Sequence, residues 1–165
     1  MTTERARGAA FAVMMIVLGL VVGIASSAAA GADSAAVPAV NAAEGVGLKG
    51  YDPVAYFING APTKGSDQYR FAWKGITYRF ASAGNLEKFK ADPEKYLPQY
   101  GGYCAYAMSL DRIADIDPSR WAIVNGKLYL NNGFIAEKLW SLNKSGNIAS
   151  GDHNWPLYPK NAPGE

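Results

Sequence analysis

The sequence predicts a small α+β domain built from two β-hairpins, each followed by a helix, with short helical turns and an irregular C-terminal tail. Three observations predict it. Two pairs of aromatic and β-branched runs are each split by a tight-turn dipeptide, Lys74-Gly75 and Asn125-Gly126. Behind each pair, apolar residues recur at helical spacing. The folded part, about 135 residues long, is close to the commonest size of one domain.

In chain order, the first segment is an export signal over residues 1–30. Arg5 and Arg7 give a positive start, and an apolar stretch runs from Ala9 to Ala25. Small residues follow, with Ala28-x-Ala30 and Ala30-x-Ala32 both fitting a peptidase that admits little more than a methyl group. Cleavage is expected after Ala30 or Ala32. The stretch is short for a bilayer span, so an uncleaved anchor is the lesser alternative and membrane attachment is expected only in that case. Arg5 and Arg7 are not adjacent and no cysteine stands at the cleavage site, which leaves the general secretory route to the periplasm or the exterior. Residues 31–43, rich in Ala, Gly, Val, Pro and Ser, read as a flexible tether.

The domain is placed at residues 44–158. Gly45 to Gly50 form a short strand or extended lead-in. Asp52-Pro53 is a helix start, with a capping side chain and then proline at the first helical position, and Asn59-Gly60 ends that helix early. Tyr69 to Trp73 and Ile76 to Phe80 make the first hairpin. Ser82 caps a helix carrying Leu86, Phe89 and Lys90, which Asp92-Pro93 breaks; Glu94 to Leu97 add a turn. Gln99 to Met108 are dense in glycine, aromatics and small residues, and a loop runs from Asp111 to Pro118. Trp121 to Val124 and Lys127 to Leu130 make the second hairpin. A helix over about Phe134 to Leu142 places Ile135, Leu139 and Leu142 at spacings of four and three. The rest is expected to be largely irregular after a short turn, with residues 159–165 as a tail.

A faint echo runs through this order. Gly75 is followed at three residues by Tyr78 and at twelve by Glu87-Lys88-Phe89. Gly126 is followed at three by Tyr129 and at eleven by Glu137-Lys138-Leu139. Two hairpin-plus-helix units would explain it, and so would chance.

Composition bounds the function. The chain has 16 basic and 14 acidic residues; without Arg5, Arg7 and Glu4 these become 14 and 13, a net charge of +1. That balance gives no reason to expect nucleic acid or an anionic membrane surface as partner. Ten Tyr and four Trp suit a core short of Leu and Ile. The one cysteine, Cys104, excludes an internal disulfide in a compartment where small domains use them. It is either buried and inert, or a reactive or ligating thiol.

Gly50-Tyr51-Asp52-Pro53-Val54-Ala55-Tyr56-Phe57, Gly75 to Ser82 and Phe89-x-x-Asp92-Pro93-x-x-Tyr96 together resemble the YHS domain family. Tyr100-Gly101-Gly102-Tyr103-Cys104-Ala105 and Asn154-Trp155-Pro156 resemble its exported bacterial branch. The resemblance runs over most of residues 45–156. It implies a metal-handling context, where cysteines in an Asp-Pro-Val-Cys and a Phe-Cys-Ser-x-x-Cys segment are candidate soft-metal ligands. The matching positions here are Ala55, Ala81 and Asn85, none of which supplies a thiolate, so that set does not carry over.

Other candidates come from the residues themselves. Cys104 with Met108 four residues on offers a thiolate and a thioether, a pair that suits Cu(I). His153, the one histidine, would add a nitrogen if the tail folds back. Against this stands Cys104 as a small apolar core residue with Met108 as filler. A reactive thiol at a helix start and a Cys-His hydrolase are further alternatives. Asp111, Asp115 and Asp117 with Arg112 and Arg120 read as a solvated loop, since the glycine and terminal glutamate of a calcium loop are missing. Asp52 reads as a helix cap. No catalytic residue is assigned. The expectation is an exported binding module taking a soft metal, copper, through Cys104, Met108 and His153; the alternative is an envelope protein-interaction module whose cysteine is structural.

Overall fold

The structure, a computed structural model, describes residues 37–158 and 160–161. The residues read as the export signal lie outside the described part. Among the described residues, eight strands and six α-helices follow one another with three short 3-10 turns. The helices are α1 Ala55–Ile58, α2 Ala83–Ala91, α3 Pro93–Tyr96, α4 Ala105–Ser109, α5 Phe134–Leu142 and α6 Lys144–Asn154. None of the described helices is long and apolar enough to cross a membrane.

Both expected hairpins form. Strands β4 (Ser66–Trp73) and β5 (Ile76–Phe80) pair antiparallel around Lys74-Gly75, and β6 (Asp117–Val124) and β7 (Lys127–Asn131) around Asn125-Gly126. Each turn dipeptide holds both residues at positive φ: 48° and 78° in the first, 52° and 74° in the second. That is the backbone a two-residue turn needs to match strand twist. The sheet of the first hairpin also holds β2 (Ala42–Ala43) and β3 (Val46–Gly47), in the order β2-β3-β5-β4.

The sequence echo is a structural duplication. Adding 51 to the residue numbers of β4's register shift, β5 and α2 gives those of the second hairpin and α5: Ser66↔Phe80 and Arg70↔Arg79 become Asp117↔Asn131 and Trp121↔Leu130. Upstream the offset is 52. Residues Leu48, Lys49 and Gly50 have φ of 53°, 54° and 78°, and Tyr100, Gly101 and Gly102 have 55°, 59° and 80°. Tyr51 N–H donates to the Leu48 carbonyl, and Tyr103 N–H to that of Tyr100, both at 3.0 Å. The core aromatics repeat too. Tyr78 and Phe89 lie 5.2 Å apart at an interplanar angle of 38°, and Tyr129 and Trp140 lie 5.4 Å apart at 36°. Phe89 thus corresponds to Trp140, one residue from the Leu139 that the Glu-Lys echo suggested, because that echo aligned surface charges and the core aligns buried rings.

Each unit has its own core. The first gathers Tyr56, Tyr78, Phe80 and Phe89, and receives Leu128 and Leu130 from β7; the second gathers Tyr100, Met108, Tyr129 and Trp140. Residues 37–43, assigned to the tether from their composition, lie along both units. Asn41 N–H donates to Gly101 O at 2.8 Å, its side chain donates to Gly102 O, and the Tyr103 hydroxyl donates to Pro38 O. Small residues allow this close approach: a Cβ on Gly101 would sit 2.2 Å from Ala39 O.

The stretch after Leu142, expected to be largely irregular, is mostly helix. Gly146 and Gly151 weaken helix propensity, which is why the pattern read as loop. Two tertiary and capping effects override it. Asn143 Oδ1 accepts from Gly146 N–H and caps α6. Gly151 lets α6 settle onto Tyr100, whose hydroxyl oxygen would lie 2.6 Å from any Cβ there and donates to Asp152 at 3.0 Å. The Asp111–Pro118 loop also ends one residue before Pro118's predecessor pairs, since β6 begins at Asp117.

Candidate functional site

Asp52 is wholly buried and spends both carboxylate oxygens on protein donors. Oδ1 accepts the N–H groups of Val54 at 2.8 Å and Ala55 at 3.2 Å, capping α1. Oδ2 accepts Ala81 N–H at 2.8 Å and Asn85 Nδ2 at 2.7 Å. The cap read from Asp-Pro is therefore also a tie between the start of α1, the end of β5 and the side of α2. Ala55, Ala81 and Asn85, the positions matching the family's candidate metal ligands, converge here. With two alanines and an amide that already donates to Asp52, they do not fit a soft metal.

Cys104 occupies the corresponding place in the second unit, at the offset of 52. It is the N-cap of α4, and its Sγ accepts Ala107 N–H at 3.5 Å and Asn132 N–H at 3.2 Å. Asn132 is the counterpart of Ala81. The counterpart of Val54 N–H, that of Tyr106, goes instead to Asn131 Oδ1 at 3.1 Å, which also lies 3.9 Å from the thiol as its acceptor. Asn131 is as buried as Asp52. Thus a thiol and an amide divide the work that one carboxylate does in the first unit. Asn131 Nδ2 has no hydrogen-bond partner among the described residues.

Met108 is buried one turn after Cys104, donating its N–H to the Cys104 carbonyl at 2.9 Å. The chain does fold back over α4: Asn154 Nδ2 donates to the Met108 carbonyl at 2.9 Å. Beside it His153 is exposed in the last turn of α6, while Cys104 and Met108 are enclosed. Among the described residues, no group of three or more His, Cys, Asp or Glu side chains is placed to hold a metal. The charged loop is a set of structural ties. Asp115 accepts from Lys49 and Asn41, while Asp117 accepts from Ser119 and pairs with Arg120. Burial pushes the Asp115 carboxyl up, but its bonds from Lys49, Asn41 and the Ile116 N–H outweigh this and hold it below its ordinary value.

The spacing of Ile135, Leu139 and Leu142 was a helix signal, yet these residues face solvent. Ile135 is 68% exposed, Leu139 40% and Leu142 82%, and Phe134 beside them is 53% exposed. The buried side of α5 is carried by Trp140. Periodicity could not separate the two sides, because α5 is apolar on both. An open groove of about 710 Å³ adjoins Leu142, between the Asn125 turn and the α5–α6 junction, with Lys144, Ile148 and Asp152 on its walls.

The site is thus a pair of equivalent buried caps, Asp52 in one hairpin-and-helix unit and Cys104 with Asn131 in the other. Residues 54–100 match the family model of the YHS domain. The match spans α1 through α3 of the first unit and ends at Tyr100, where the second unit begins. No curated protein and no solved structure matches the chain.

Proposed function

We propose that the chain is an exported, YHS-like interaction module whose second unit docks another macromolecule through the outward face of α5. The observation that carries this is the concentration of Phe134, Ile135, Leu139 and Leu142 on one exposed helical face, the kind of contiguous apolar patch that marks interaction sites. Cys104 is, in this reading, the structural cap of α4. A photo-crosslinking residue placed at position 139 in producing cells is expected to give a discrete adduct, with none from the same residue at Lys88, an exposed position on α2. Adducts from both positions or from neither would refute the reading. Export is tested separately: the mature protein should begin at Gly31 or Asp33.

A second reading, Cu(I) binding through Cys104, Met108 and His153, is favoured by one observation. Cys104 and Met108 sit on successive turns of the same buried segment, and α6, which carries His153, packs on it. A thiolate and a thioether suit Cu(I). Titration of the mature protein with Cu(I) against a competing chelator is expected to show one equivalent bound, lost in Cys104→Ser. Unchanged binding in that variant would remove the site.

A further inference from the structure

The duplication supplies an internal control for the surface of α5. The α2 residues that correspond to Phe134, Ile135, Leu139 and Leu142 are Ala83, Gly84, Lys88 and Ala91, all exposed. The same backbone, in the same place on its hairpin, therefore folds with small or charged residues there. Nothing in the architecture asks for Phe, Ile and two Leu at those positions, so their apolarity answers to something that covers them.

Charge says what kind of partner this is. Lys138 lies within the exposed face, its ammonium 5.3 Å from the Phe134 ring, and Lys144 lies just beyond the far end, 6.0 Å from the Trp140 ring. Neither makes an ion pair among the described residues. Glu137, the acidic residue of α5, is turned toward the body and paired with Arg120 at 3.4 Å. Asp152 stands on the groove wall and accepts from the Tyr100 hydroxyl. An apolar stripe at i, i+4 and i+7 with unpaired cations beside it is the complement of an amphipathic helix bearing carboxylates along the edge of its own apolar stripe. A second copy of this chain fits poorly, since antiparallel pairing of α5 with itself would set Lys138 against Lys138. A flat membrane surface would leave the groove beside Leu142 unfilled.

We infer that α5 and its adjoining groove bind an acidic amphipathic helix of a partner protein. This rests on the interaction reading above and specifies the partner. The test uses the mature protein and two synthetic helical peptides with leucines at i, i+4 and i+7, one flanked by glutamates and one by lysines, followed by fluorescence anisotropy. Saturable binding of the glutamate peptide is expected, at least roughly tenfold tighter than the lysine peptide. Leu142→Glu should weaken it by about tenfold or more, as loss of an apolar anchor beside the groove does. Lys138→Glu with Lys144→Glu should weaken it and flatten its salt dependence. Ile135→Ser provides a second apolar variant, and all of these positions are exposed enough to leave folding intact. Equal binding of both peptides would overturn the acidic partner, and binding of neither would overturn the helical one. In either case the crosslink at position 139 would decide independently whether the interaction reading stands. A concentration-dependent dimer abolished by Leu142→Glu would assign the face to a second copy. Sedimentation with phosphatidylglycerol vesicles abolished by the same variant would assign it to lipid. Both outcomes would overturn the inference.

Discussion

Replacing Asp52 by asparagine keeps the size of the side chain and removes its ability to accept on both ends. An amide can keep Oδ1 on the Val54 and Ala55 N–H groups, but its NH2 then faces the Ala81 N–H, donor against donor, and keeps a bond to Asn85 only where that side chain turns its own oxygen inward. One or two buried hydrogen bonds to the carboxylate are lost, each worth about 1.5–3 kcal/mol, which gives about 1.5–6 kcal/mol. Against a typical domain stability of about 5–15 kcal/mol, the upper end is enough to unfold a marginal protein. Asp52→Ala should be worse, since all four donors are then left without the carboxylate. Cys104→Ala removes two neutral N–H···S contacts and should cost only about 1–3 kcal/mol. Urea unfolding followed by tryptophan fluorescence measures all three. An Asp52→Asn variant within about 1 kcal/mol of the parent would show that the four-donor carboxylate is not what ties α1, β5 and α2 together.

Glycine substitutions should move stability in opposite directions. Gly151→Ala forces a Cβ against Tyr100 and is expected to lower stability by about 1–3 kcal/mol. Gly84→Ala, whose Cβ would meet nothing nearer than Ser82 Oγ at 3.8 Å, should raise it by about 0.5–1 kcal/mol; thermal melts check both. Burial pushes the Tyr78 phenol from its ordinary 10 up to about 12, and raises those of Tyr56 and Tyr100 further. The fold therefore favours neutral tyrosine. This stabilisation is complete below pH 10 and is lost as pH rises from 10 through 12, so absorbance at 295 nm should show late phenol ionisation coinciding with unfolding. Early ionisation of all ten tyrosines with the fold intact would refute it. Cys104, enclosed at the start of α4, should react with a thiol reagent only as fast as the domain opens, and labelling should follow urea in step with unfolding.

Much of the scaffold was legible because local chemistry determines it. Lys74-Gly75 and Asn125-Gly126 set two-residue turns whatever surrounds them, Asp52-Pro53 starts a helix, and Ser82 caps the next one. The α+β class and the hairpin-plus-helix repeat follow from those signals, as does the likeness that the family model confirms over residues 54–100. Tertiary structure decided the rest. Helix α6 exists despite two glycines because packing on Tyr100 rewards the very residue that local propensity penalises. Nothing local marks Cys104 as the counterpart of Asp52, since a thiol and a carboxylate share no sequence signal. Their equivalence lies in the N–H groups that arrive from a strand end some 28 residues away. The direction of α5 is the last case. Its sequence is apolar on both sides, so periodicity establishes a helix and cannot say which side is buried. Only the placement of Trp140 against Tyr129 turns Ile135, Leu139 and Leu142 outward, because one side of a helix can fill a core while the other must face whatever comes next.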